Sequence, residues 1–156
     1  MRLLALSLAC LLPLASLPAN AADASVEARL SMRGTQFTID DDGDYKVVLN
    51  FSEEGRTQLV YVSGGTEEVG GMSIREVFAP AANIKTDGVT GAIALELLNE
   101  SRSKKLGAWE IAGDYLYYVI KIPDNADAAQ LAAAIRIAGS IADDKEIELS
   151  GDADKL

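Results

Sequence analysis

Three aspartates at alternate positions, Asp40, Asp42 and Asp44, are the densest group of potential metal ligands in the chain. Carboxylate oxygens in such a run can begin a calcium-binding loop. A helical calcium loop also needs glycine at its sixth position and a bidentate glutamate at its twelfth, whereas counting from Asp40 gives Tyr45 and Phe51. The spacing therefore excludes that loop and predicts a solvated turn between two strands, with weak calcium binding as the alternative.

General acid and base catalysis would have to use carboxylates, because the sequence contains no histidine. Four glutamates lie near apolar residues where burial would raise a pKa: Glu76, Glu96, Glu100 and Glu110. Each also fits an exposed helix or strand position, and no sequence spacing pairs two of them as a glycosidase requires. Since no phosphate-binding glycine loop is present either, we predict no catalytic residues and no cofactor. A carboxylate-dependent hydrolase of envelope polymers is the alternative.

Four aromatic residues lie in the last predicted hairpin: Trp109, Tyr115, Tyr117 and Tyr118. Successive residues of a strand point to opposite faces, so Tyr117 and Tyr118 should lie on different sides of a sheet. Cross-strand aromatic pairs stabilise hairpins, which makes sheet packing the first interpretation. The second is an exposed surface for binding another protein, and these four are the candidate interaction residues.

Alternation of apolar and polar residues predicts the strands that carry these groups. It indicates five strands: 37–39, 45–51, 58–63, 108–112 and 115–122. Gly113 and Asp114 form the tight turn of the last hairpin. The glycine-rich interval 64–71 is expected to be flexible, and the apolar piece 72–78, which Pro80 closes, receives no assignment.

Apolar residues at helical spacing predict three helices. The expected caps are Ser25 for the first helix, Thr86 or Asp87 for the second, and Asp124 or Asp127 for the third. The expected ends are Gly34, residues 101–105 and Gly151, in the same order. Hairpins separated by helices indicate an α+β protein, with an antiparallel sheet of about five strands and helices packed on one face.

Residues 1–21 have the layout of a secretory signal peptide, with Arg2 before an uncharged, leucine-rich run. Small residues at alternate positions place the expected cleavage between Ala21 and Ala22. The run is shorter than a membrane-spanning helix needs, so we expect a periplasmic or secreted product without stable membrane insertion. Residues 22–156 are then interpreted as a single domain.

The chain is acidic, with 24 Asp and Glu residues against 14 Lys and Arg. This balance disfavours binding to nucleic acid, which depends on cationic side chains. Cys10 is the only cysteine, a poor lipid acceptor, and is expected to leave with the signal. The mature protein would then lack disulfides and thiolate ligands, so its stability must come from its core.

Several short sequence segments, taken in chain order, resemble those of a known family. They are DGDY at 42–45, IREVFAP at 74–80, a helix end at 95–99, GAWEI at 107–111, YYVIKIP at 117–123 and AD at 142–143. Together they cover nearly all of residues 22–156. The chain resembles the YbjN-type family, often labelled bacterial sensory transduction regulators, whose fold is similar to that of type III secretion chaperones.

The resemblance implies a chaperone-like fold and no catalytic residue that could be transferred to this chain. Chaperones of this shape commonly pair, so it also implies a homodimer. Type III secretion chaperones act in the cytoplasm, whereas an export signal begins this chain, which argues against a role in loading that secretion system. We therefore predict an exported, non-enzymatic binding or regulatory module that holds another protein or its own copy, with a small-ligand or calcium-binding protein as an alternative.

Overall fold

The computed structural model describes residues 23–52, 55–151 and 154–155. The expected signal peptide, 1–21, and its cleavage site lie outside these residues. Within them are three helices: α1 (Ala24–Met32), α2 (Gly91–Ser103) and α3 (Ala128–Ser150). The same part of the chain forms seven strands: β1 (Thr38–Ile39), β2 (Tyr45–Phe51), β3 (Arg56–Val62), β4 (Glu67–Val69), β5 (Met72–Asn83), β6 (Ala108–Ala112) and β7 (Tyr115–Pro123).

The strands form one antiparallel sheet in the order β1-β2-β3-β5-β7-β6, with β4 paired to part of β5. The α3 helix packs across β3, β5 and β7, α1 packs on α3, and α2 packs beside β6. All three helices lie on one face, since the residues under them belong to a single alternating set along each strand. The predicted α+β architecture is confirmed.

The sheet has seven strands rather than about five, because two strands were not predicted. β4 lies in the interval expected to be flexible, 64–71, and pairs with the start of β5 through Glu67–Ile74 and Val69–Met72. β5 then continues past Pro80 and lies between β3 and β7. Its position shows that the proline interrupts hydrogen bonding on one edge of the strand without ending it.

Pro80 lies where the pairing between β3 and β5 stops. These strands pair through Tyr61–Phe78 and Val62–Val77, and Pro80 is the next residue of β5 whose polar groups face β3. Because proline has no N–H, it cannot donate to Leu59 there. The buried side-chain amide of Gln58 donates instead to the carbonyl oxygens of Pro80, at 2.8 Å, and Leu59, at 3.2 Å.

The core lies between α3 and the sheet. Its members are the small and β-branched residues of β2, β3, β5 and β7, together with the alanine-rich stripe of α3 that includes Leu131, Ile135, Ala138 and Ala142. At Gly139 the helix comes so close that an added Cβ would lie 2.4 Å from Cδ1 of Leu49. The glycine lets the helix axis approach the sheet, as the high alanine content also does.

Two of the three helix caps differ from those expected. α1 begins after Asp23, whose carboxylate accepts from Ser25 N–H at 2.8 Å, so Ser25 lies within the first turn. α2 begins after Thr90 rather than Thr86 or Asp87. α3 begins after Asp127, one of the two expected residues, which forms a capping box with Gln130.

Two charged clusters are buried in the helix layer. Arg56 pairs with Asp143 at 2.8 Å and with Glu146 at 3.0 Å, which joins the start of β3 to the end of α3. Arg75 of β5 is 1% exposed and pairs with Asp23 and Asp124. Both clusters tie the ends of helices to the sheet.

None of the helices in the described residues combines the length and the apolar composition that crossing a membrane requires.

Candidate functional site

The structure separates the four candidate aromatic residues into two pairs. Trp109 and Tyr118 face the helices, where Trp109 is 8% exposed and Tyr118 is fully buried. Their rings meet edge to face with centroids 5.0 Å apart, and the Tyr118 hydroxyl donates to the carbonyl oxygen of Leu106 at 2.6 Å. Trp109 and Tyr118 are therefore core residues, and their prediction as interaction-surface residues was wrong. Side-chain alternation along the strands directs them toward α2 and α3.

Tyr115 and Tyr117 face the opposite side of the sheet, which no helix of the described chain covers. Tyr117 and Tyr118 thus lie on different faces, as predicted. On the open face the ring of Phe78 stacks on Tyr61 with centroids 5.3 Å apart, and it meets Tyr117 edge to face at 5.9 Å. Tyr115 extends the row, 6.2 Å from Tyr117. The result is a continuous line of rings across β3, β5 and β7.

A groove of about 390 Å³ runs along this row. We name it the aromatic groove; its apolar lining is Leu59, Tyr61, Phe78, Pro80, Tyr115 and Tyr117. The groove lies over the point where β3 and β5 stop pairing, since Leu59 and Pro80 face each other across the interrupted edge. The proline that interrupts hydrogen bonding on this edge of β5 therefore also shapes the groove.

The acidic turn, residues 40–44, lies at the edge of the aromatic groove, which Asp40, Asp42 and Asp44 also line. The Asp40 carboxylate accepts from the N–H groups of Asp42, at 3.1 Å, and Asp44, at 2.9 Å. Asp44 accepts from Gly64 N–H at 2.8 Å, which attaches the turn to the end of β3. These bonds make the turn a structural connection, as expected for a tight corner rich in aspartate.

The aspartates of the acidic turn do not converge on a metal position. In residues 23–52, 55–151 and 154–155, no three acidic side chains are placed to hold an ion. Burial, with the neighbouring charges of Asp40 and Asp42, raises the pKa of Asp44, although the hydrogen bond from Gly64 opposes this. The repulsion between these carboxylates indicates that the turn favours a positively charged neighbour.

Comparison with protein-family models gives no match, and comparison with curated proteins gives none.

Two of the four glutamates considered for catalysis contact one lysine. The sheet brings Glu76 and Glu110 to the same ammonium group, that of Lys121, at 3.4 and 2.6 Å. Both carboxylates are more than two-fifths exposed on the open face. Lys121 contacts both carboxylates, so the group is an exposed ion-pair cluster.

The other two glutamates lie on α2. Glu96 is exposed. Burial alone would raise the pKa of Glu100, but hydrogen bonds from Lys104 and Lys145 outweigh it and hold the pKa below its ordinary value. A general acid at neutral pH needs the opposite shift, so Glu100 is a poor candidate for that role.

Sequence reasoning missed four apolar residues of the aromatic groove: Leu59, Tyr61, Phe78 and Pro80. Tyr61 was included in a predicted strand only as part of an apolar run, and Phe78 lay in the piece without an assignment. One signal in the sequence could have found them. Leu59 and Tyr61 are two positions apart and so share one face of their strand, and Phe78 and Pro80 do the same on the next strand. Placing them together requires the pairing of β3 with β5, which is a property of the fold.

Proposed function

We propose that this protein is a non-enzymatic binding module that holds a protein partner against the open face of its sheet. The observation that carries the proposal is the row of half-exposed rings from Tyr61 to Tyr115, which lies on a face that the described helices leave uncovered. Aromatic side chains offer large contact areas at low entropic cost, and they are enriched where proteins bind each other.

The shape of the groove supports a protein partner over a small molecule. Its lining is open along the sheet, and its apolar part is built from side chains of three different strands. Sites for small molecules are concave and bury most of the ligand surface, whereas an open row of rings suits an extended segment. The ring packing on Phe78 from both sides keeps the surface rigid before a partner arrives.

The resemblance to the YbjN-type family belongs to the same proposal. It suggests a regulatory binding role, and its chaperone-like layout suggests a second copy of the chain as one partner. The expected signal peptide supports a location of the proposed activity in the bacterial envelope. The expected location therefore makes intact cells the proper setting for the test.

The test is site-specific photo-crosslinking in intact cells. A benzophenone amino acid replaces Tyr117 in one variant and Tyr61 in a second, and Ser140, an exposed residue of α3, in the control. We expect both groove variants to form the same discrete adduct and the control to form none. An adduct of twice the chain mass would identify a second copy as the partner.

Two results would contradict the proposal. One is an equal adduct pattern at Tyr117 and Ser140, which would mean that the groove is no more a contact surface than the outside of α3. The other is hydrolysis of envelope polysaccharide by the purified protein that Glu110→Gln abolishes, which would establish the hydrolase alternative.

A further inference from the structure

The aromatic groove is bordered by carboxylates at one edge. Asp40, Asp42 and Asp44 line it together with Tyr61 and Tyr117. Resting on the binding function proposed above, we propose that the groove recognises a partner segment bearing arginine or lysine side chains, with the cation held between the aromatic rings and the acidic turn.

The rings offer the surfaces that a cation needs. Phe78 stacks on one face of Tyr61, at an interplanar angle of 11°, and Tyr117 stands at 78° to Phe78, so the face of Tyr61 turned away from Phe78 is the one left for a cation. The negative face of an aromatic ring attracts an ammonium or guanidinium group, and the planar guanidinium also stacks on it. A guanidinium lying on the Tyr61 side of the groove can donate hydrogen bonds toward the acidic turn at the same time.

Asp42 is the carboxylate of the turn with both oxygens available to the partner. The backbone N–H groups of Asp42 and Asp44 occupy Oδ1 of Asp40, and Gly64 N–H occupies Oδ1 of Asp44. Within the described part of the chain, no hydrogen bond or ion pair engages the Asp42 side chain, which is exposed. An incoming cation would therefore gain a partner without displacing an existing one.

Charge at the groove favours a cation over other occupants. The nine lining residues include three aspartates and no lysine or arginine. Lys46, which lies across from Tyr61 on β2, is the neighbouring cation on this face, so the local charge stays negative. A second copy of this chain would bring a formal net charge of −10 toward the same carboxylates. Repulsion between like charges disfavours that occupant here.

Burial and the nearby charges of Asp40 and Asp44 raise the pKa of Tyr61. This direction agrees with the short separation between the ring and the acidic turn. The negative potential of the turn thus reaches the ring surface on which the cation would lie.

The proposal is tested by calorimetric titration of the purified protein. The probe is an acetylated, amidated peptide of alternating glycine and arginine, compared with peptides in which glutamine or glutamate replaces arginine. We expect binding of the arginine peptide alone, weakened when salt is raised to about 0.5 M because exposed charges are then screened.

Two pairs of variants distinguish recognition of arginine in the groove from general attraction of a cationic peptide to an acidic protein. Tyr61→Leu removes the ring and should weaken arginine-peptide binding roughly fivefold, whereas Tyr61→Phe keeps the ring and should stay within about twofold. Asp42→Asn should weaken binding about threefold. Asp41→Asn removes the same charge from the same turn but does not line the groove, so it should change binding by less than about 1.5-fold.

No binding of the arginine peptide up to about 5 mM would overturn the inference. So would equal losses in Asp41→Asn and Asp42→Asn, which would indicate attraction to an acidic protein as a whole, or equal binding of the glutamine peptide. If crosslinking at Tyr117 still captures a partner in these cases, the binding function stands and its chemistry is different. If neither peptide nor partner binds, both proposals fail.

Discussion

Replacing Arg75 by methionine should destabilise the protein by about 3 kcal/mol. Its guanidinium is 1% exposed, donates to Asp23 at 2.7 Å and to Asp124 at 2.8 Å, and also donates to the carbonyl oxygens of Ser63 and Gly65. One side chain therefore joins β5 to the start of α1, the loop after β3 and the loop before α3.

The size of the loss follows from what the guanidinium leaves behind. Breaking a buried ion pair typically costs about 3–5 kcal/mol, because the remaining charge is left without compensation. Asp23 and Asp124 are 31% and 30% exposed, so water can reach both after the substitution. Arg29 also remains 3.5 Å from Asp124. Both facts place the expected loss at the lower end of the range.

The measurement is urea unfolding followed by far-ultraviolet circular dichroism, with Arg136→Met as the matched control. Arg136 is exposed on α3, so its replacement should change the free energy of unfolding by less than about 0.5 kcal/mol. Arg75→Met should also lower Tm by about 10 °C. Arg75→Lys keeps the charge but loses the fork that reaches four acceptors, so it should fall between the wild type and Arg75→Met.

A double-mutant cycle with Asp23→Asn isolates the ion pair. One oxygen of Asp23 caps α1 and the other contacts Arg75, and asparagine keeps the capping oxygen. We expect a coupling energy of about 1 kcal/mol between the two substitutions. A cost of less than about 1 kcal/mol for Arg75→Met, or a cost equal to that of Arg136→Met, would show that the guanidinium does not hold the three segments together.

Two further predictions concern backbone contact and pH. Gly64→Ala should lower the free energy of unfolding in urea by about 2–3 kcal/mol, because the added Cβ would lie 2.1 Å from the carbonyl oxygen of Gly43. The control is Gly91→Ala, whose Cβ meets nothing within 4 Å and should leave the free energy of unfolding unchanged. Equal effects of the two substitutions would contradict the close contact at Gly64. Hydrogen bonds from Lys155 and from the backbone hold the pKa of Asp87 below its ordinary value of 3.8, so its carboxylate stabilises the fold above that pH and loses this effect as the pH falls. Asp87→Asn should therefore lower Tm more at pH 7 than at pH 3, and a constant difference would exclude the ionic origin.

Local patterns were enough to predict most elements. Alternation located β2, β3, β6 and β7, and Gly113 has the positive φ, 58°, that a tight hairpin turn needs. The failure at β5 has a physical cause. A proline in a run of small apolar residues is a sound sign of a strand end, yet here the side-chain amide of Gln58 donates to the Leu59 carbonyl oxygen in place of the missing N–H. No local pattern reveals a compensation supplied from another strand.

The arrangement of the candidate site could likewise be predicted only in part. Neighbouring positions in a strand were sufficient to place Tyr117 and Tyr118 on opposite faces, but not to decide which face the helices cover. That choice also decided which aromatic residues became core. It depends on the packing of α3 over β3, β5 and β7, to which residues far apart in the chain contribute.

The sequence alone determined that the chain has no histidine, that its charge is acidic and that it contains alternating segments able to form a sheet. These are properties of residue types and of near neighbours in the chain. The tertiary structure decided that Tyr61, Phe78 and Tyr117 share one surface with the acidic turn. Residues as far apart in the chain as Asp40 and Tyr117 meet there, because antiparallel pairing of β3, β5 and β7 brings distant segments side by side. Strand pairing between distant segments is set by the packing of the whole core, and no short stretch of sequence contains that information.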